Sequence, residues 1–144
     1  MTDVSRWVEQ RGDYDCLTAC LASLFWEPYE NVPIFTNDEG GPRPFWYKEL
    51  EEWLAERGFG LLQRVRHTDD PDDIMRCPWR FDGYWIAGVQ SPRMDGEHAV
   101  VMLKQEIVWD PHPKRDMGHL GFMSCDYFYP LDPGRLTWTP SPTN

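Results

Sequence analysis

The apolar residues of this chain change their period near residue 60, and that change constrains the fold more than any other feature. Before it, the spacing is helical. From Cys16 to Trp26, Cys16, Cys20 and Ser23 or Leu24 share one stripe and Leu17, Leu21 and Phe25 a neighbouring one, which predicts a largely buried helix. Asp13 or Asp15 stands where an N-cap is expected, and Pro28 ends the helix. Residues 28–44 are rich in Pro, Gly, Asn and Asp and read as a loop with a short turn at Tyr29–Val32. A second helix is predicted over Phe45–Arg57, with Leu50, Trp53 and Leu54 inward, glutamates outward and Gly58 as its C-terminal cap. After it, Leu61–His67, Tyr84–Gln90, His98–Lys104, Ile107–Asp110 and Tyr127–Leu131 read as strands, being aromatic or β-branched and bounded by Gly, Pro and Asp. Helices first and strands second predict an α+β fold, the first helix packed on an antiparallel sheet.

Length and composition bound the function classes. At 144 residues, with 41% hydrophobic and 15% aromatic residues, the chain is expected to form one domain over 1–144 with a real core, its tail 139–144 fraying. A net charge of −10 excludes a phosphate-tracking nucleic-acid binder and an anionic-membrane binder. Peptides, proteins and small amides remain as substrates or partners; oligomeric state is left open. Met1–Val8 lacks the basic and apolar runs of a secretory signal, and no apolar run reaches membrane-spanning length, so a cytoplasmic location is the expectation. Cys16, Cys20, Cys77 and Cys125 form neither a disulfide framework nor a zinc pattern, and no metal or cofactor is implied.

The chemistry concentrates in two places. Gln10-Arg-Gly-Asp-Tyr-Asp-Cys16 reads as a loop that delivers Cys16 to the first turn of the buried helix, where free backbone N–H groups and the helix dipole favour a thiolate. Asp13 and Asp15 act against that thiolate unless their charge is occupied elsewhere. Far along the chain, two apolar runs flank Lys104-Gln-Glu as a hairpin. A three-residue connection centred on Lys104 sets His98 opposite Asp110, on one face and at one edge of the sheet. A carboxylate so placed holds an imidazole in one tautomer while the imidazole activates a nucleophile. A Gln10 amide and the Cys16 N–H would serve as donors to an oxyanion. Taken singly, His98, Asp110 and Gln10 have ordinary readings as a structural histidine, a turn residue and a surface glutamine; it is the set that points to acyl transfer.

Gln10, then Cys16 at a helix start, then His98 beginning a strand and Asp110 on the next, in that order, resembles the papain-like cysteine peptidases. The Asp-Cys16-Leu-Thr-Ala-Cys20 and His98-Ala-Val-Val runs are similar to those of the double-glycine bacteriocin-processing peptidase domains of ABC exporters, although Leu17 stands where that branch usually has Gly. Ser91-Pro-Arg before the His and Asp110-Pro-His-Pro after it are similar to small papain-like proteins of phages and bacteria. The resemblance implies Cys16 as nucleophile, His98 as general base and acid, Asp110 as orienter and Gln10 as oxyanion donor, in a cysteine hydrolase of amide, peptide or isopeptide bonds. The same residues suit an acyltransferase or transglutaminase-like enzyme, and an inactive papain-like scaffold that binds a basic partner is the third reading.

The remaining candidates are subsidiary. The Ser91–Gly96 loop leads into His98, so Ser91, Arg93 and Gly96 are expected to border the cleft and bind substrate, Arg93 against a carboxylate. Cys20, one turn deeper than Cys16, reads as core, and His112, between two prolines, as a turn residue or alternative base.

Overall fold

A computed structural model describes residues 6–66, 68–70, 73–74, 83–92, 96–115 and 118–132. Helix α1 spans Cys16–Phe25 and α2 Trp46–Glu56, with a short 3-10 turn at Tyr29–Asn31 between them. The strands are β1 Phe59–Val65, β2 Tyr84–Gln90, β3 Glu97–Leu103, β4 Glu106–Trp109 and β5 Phe122–Pro130. They form one sheet in the order β1-β5-β2-β3-β4, antiparallel at every pairing. The fold is therefore α+β. No helix among the described residues is long and apolar enough to cross a membrane.

Alternation along the strands divides the core in two. Ile86, Val101 and Phe128 face the helices and meet Cys20, Leu21, Leu50, Trp53 and Leu54. Trp85, Ala87, Val89, Val100, Met102, Cys125 and Tyr127 face the other way and pack with Ile74. Phe25 joins the layers on the helix side, its ring centroid 5.4 Å from Trp53, 5.4 Å from Phe59 and 5.5 Å from Phe128, all edge-on. Leu54 is fully buried in this cluster. Leu54→Ala is expected to cost about 3 kcal/mol in urea unfolding, from lost transfer energy and a partly collapsed cavity.

Helix ends follow the chain's own chemistry. Helix α1 stops at Phe25 because Trp26 turns left-handed (φ 56°), and Arg6 then donates to the freed carbonyls of Ser23 (3.1 Å) and Leu24 (2.8 Å). Gly58, at φ 85°, ends α2 as its sequence position predicts. At the other end of α1, Asp15 occupies the N-cap position but makes no side-chain cap. Its carboxylate turns back into the preceding loop instead, which corrects the capping role expected for it.

Two strand expectations are revised. β5 begins at Phe122, five residues ahead of the expected Tyr127, because its inward residues Ser124 and Asp126 are polar and break the apolar alternation. The β3–β4 hairpin turns through Lys104-Gln105 with Leu103 paired to Glu106, and the register shifts between Val101 and Met102. His98 is thus not directly opposite Asp110. Carrying the shifted register on brings Asp110 level with Val100, on the His98 side of the strand, and the pair still meets.

Candidate active site

Cys16 enters the site as the first residue of α1, partly exposed. The first N–H groups of the helix have no intrahelical acceptor, so backbone donors stand free at the end of α1 where Cys16 lies. Strand β3 packs on α1 and brings its first residues to the same end. The Ala99 N–H donates to Cys16 Sγ at 3.4 Å, and the cysteine lies close enough to His98 to favour the protonated imidazole. His98 Nε2 lies 2.6 Å from Asp110 Oδ1. With Nε2 engaged by the carboxylate, Nδ1 is the nitrogen left for sulfur. Burial of the imidazole works against its protonation, but the bonds to Asp110 and Cys16 outweigh burial and push its pKa up to about 9. Near neutral pH the ring is therefore held as an imidazolium, with the carboxylate on one side and the cysteine on the other.

Asp110 is held in turn. Its Oδ1 also accepts the His112 N–H at 2.9 Å, closing an Asx turn over Pro111. The Pro111 carbonyl accepts the Gln10 N–H at 3.0 Å, so the cysteine loop is stitched to the turn that carries the orienting carboxylate. His112 Nδ1 accepts the Lys114 N–H at 2.9 Å, which makes His112 a turn residue. Cys20 is completely buried and its thiol is pushed well up by burial, with Cys16 and Asp110 adding to the effect; it is a core residue.

The acidic loop does not burden the cysteine as its charge suggests. Asp15 accepts the Arg11 N–H (2.7 Å), the Gly12 N–H (2.8 Å) and the Tyr29 hydroxyl (2.5 Å). Burial alone would raise its pKa; the Tyr29 bond and the two backbone bonds hold it below the ordinary carboxylate value. Its charge is spent on shaping the loop.

Gln10 lies beneath that loop, 5% exposed. Its Nε2 donates to Gly12 O at 2.8 Å, which leaves the second amide hydrogen uncommitted, and its buried Oε1 has no partner. Gln10 is not among the residues that line the cavity described next. Ser91 is buried, and its N–H donates to Gly96 O at 3.2 Å, closing the loop before His98; neither residue lines the cavity. Arg93 lies outside the described residues, as do Cys77 and the 139–144 tail.

Cys16 and His98 open into a cavity of about 350 Å³. One wall comes from residues 33–46, a stretch whose role is not legible in the sequence. Phe35, Thr36, Pro42 and Trp46 contribute, tied to the cysteine loop by Thr36 Oγ1 donating to Tyr14 O (2.8 Å) and Thr18 Oγ1 to Pro33 O (2.6 Å). Gly40 is required there, because a Cβ would fall 2.6 Å from the Tyr14 ring. The floor is the sheet itself, through Ile86 and Gly88, with Gln63, Glu97, Ser124 and Asp126 at its polar end. Sequence inspection passes over these four. The available signal was the pair Ser124 and Asp126 alternating inward between Phe122 and Phe128. No group of three His, Cys, Asp or Glu side chains among the described residues is placed to hold a metal ion.

No family model, no curated protein and no solved structure matches this chain.

Proposed function

We propose that this chain is a cysteine-dependent hydrolase of papain-like type that cleaves an amide, peptide or isopeptide bond through a thioester. The observation that carries the reading is the meeting of Asp110, His98 and Cys16, with the carboxylate 2.6 Å from the imidazole and the imidazole and cysteine lining one cavity. In the reactive pair the proton sits on His98 rather than on sulfur, giving a thiolate beside an imidazolium. The thiolate adds to the carbonyl carbon, and the resulting oxyanion takes hydrogen bonds from backbone N–H groups at the start of α1. As the tetrahedral intermediate collapses, the C–N bond breaks and His98 gives its proton to the leaving amine. Water then adds to the thioester with His98 as base, releasing the carboxylic acid and restoring the thiol. Asp110 keeps the ring in one orientation throughout and stays ionised.

The reading predicts an activated sulfur. At pH 7, Cys16 is expected to react with iodoacetamide at least about tenfold faster than glutathione does, followed by peptide mass mapping. His98→Ala is expected to bring the rate down to that of an ordinary thiol. A wild-type Cys16 no faster than glutathione would sink the proposal.

A further inference from the structure

Away from the sulfur, the cavity is lined by a carboxylate that no cation among the described residues neutralises. Asp126 is nine-tenths buried (9% exposed) and lines the cavity. Its Oδ1 accepts Gln63 Nε2 at 2.7 Å, and the Gln63 carbonyl is occupied by the Tyr47 hydroxyl. That chain fixes the carboxylate's direction, yet Oδ2 has no hydrogen-bond partner and no basic side chain pairs with it among the described residues. Burial pushes its pKa up to about 6, against the Gln63 bond and helped by Glu97, so it remains largely charged at neutral pH. A desolvated charge left unpaired costs stability that a cationic ligand would return.

The surroundings narrow what that ligand is. Glu97 is exposed, and its carboxylate and the Ser124 hydroxyl both flank Gly88. A Cβ at Gly88 would lie 2.4 Å from Ser124 Oγ and 3.0 Å from Glu97 Oε1, so glycine keeps this end open. Phe35, Trp46 and Ile86 give the same cavity apolar walls. Apolar walls leading to an acidic end suit an aliphatic stem with a charged head, which describes lysine and arginine.

Resting on the cysteine-hydrolase reading, we propose that Asp126, with Glu97 at the mouth, selects substrates that carry a lysine- or arginine-like side chain beside the scissile carbonyl. Asp126 is then the specificity-determining residue, and the Gln63–Tyr47 pair positions it.

The test compares tosyl-lysyl and tosyl-phenylalanyl chloromethyl ketones on the full chain. In each, Cys16 sulfur displaces chloride to form a thioether, and the thiol proton passes to buffer. Rates are followed by intact and peptide mass and normalised to iodoacetamide, which carries no side chain. The lysyl reagent is expected to react at least roughly tenfold faster than the phenylalanyl one at pH 7.5. Asp126→Asn is expected to bring the ratio within about twofold, and Glu97→Gln to lower it in part. Glu106→Gln, an exposed change at the far edge of the sheet, should leave it intact, which separates the subsite from the chain's overall negative charge. A wild-type ratio within about twofold overturns the proposal without any variant, as does an undiminished ratio in Asp126→Asn. Iodoacetamide distinguishes the two levels of failure. A reactive Cys16 without lysyl preference removes the subsite alone, and an unreactive Cys16 removes the hydrolase reading and the subsite with it.

Discussion

Asp110→Asn is expected to slow acylation of Cys16 by p-nitrophenyl acetate at least a hundredfold, read as the nitrophenolate burst. The asparagine keeps the size of the side chain and loses the charge that holds His98 as an imidazolium. The same variant should change how stability depends on pH. His98 has its folded-state pKa raised from 6.5 to about 9, so its contribution is fully present below about 6.5 and is lost as pH rises through 9. A shift of that size corresponds to on the order of 3 kcal/mol. Urea unfolding of the wild type between pH 6 and 9.5 should therefore show stability falling across the window. The variant should start lower at pH 6 and fall less. Equal slopes in the two proteins would mean that the Asp110 carboxylate does not support the imidazolium, and a burst of unchanged rate would remove its part in the chemistry.

The sequence made this pair legible because its logic is local. His98 and Asp110 belong to one hairpin, and a hairpin keeps its strands adjacent whatever the rest of the chain does. Even so, the register differs from that of a three-residue connection: the turn takes two residues, with Lys104 at φ 56°, and a bulge follows. The shorter turn and the bulge each move the register by one residue, and together they keep Asp110 on the His98 side. Cys16 and Cys20 were separable for a similar reason, since one helical turn distinguishes a mouth position from a core position. The cleft walls were not legible. Residues 33–46 have no periodicity to read, and their place depends on hydroxyl-to-carbonyl bonds with the cysteine loop. Ser124 and Asp126 were hidden by the rule used to find strands. Polar residues on the inward face shorten an apparent strand, yet inward polar residues on a well-paired strand are what a binding cavity requires. Of the papain-like reading, the fold shows the α+β arrangement with a cysteine-bearing helix on an antiparallel sheet; the family itself rests on the motifs.

Asp15→Ala is expected to destabilise the protein by about 3–4 kcal/mol, because one buried carboxylate serves three donors and alanine would leave the Tyr29 hydroxyl and the Arg11 and Gly12 N–H groups without it. Thermal and urea unfolding would measure the loss. Because the Asp15 pKa is depressed in the folded state, its contribution is present above the ordinary carboxylate value and is lost as pH falls through the folded one; the difference between wild type and variant should therefore shrink in acid. The exposed neighbour, Asp13→Ala, should stay within about 0.5 kcal/mol. Asp15→Ser separates loop shaping from helix capping. Serine caps helices as well as aspartate does, so a capping role would leave stability nearly intact. A loop role would not, since one short hydroxyl cannot accept the Arg11, Gly12 and Tyr29 hydrogens together. The second outcome is the expected one. It would carry a cost at the site as well, because the loop that Asp15 shapes also holds Gln10 against Gly12 and presents Cys16 to His98. In Asp15→Ser, iodoacetamide labelling of Cys16 should slow at temperatures well below the unfolding transition.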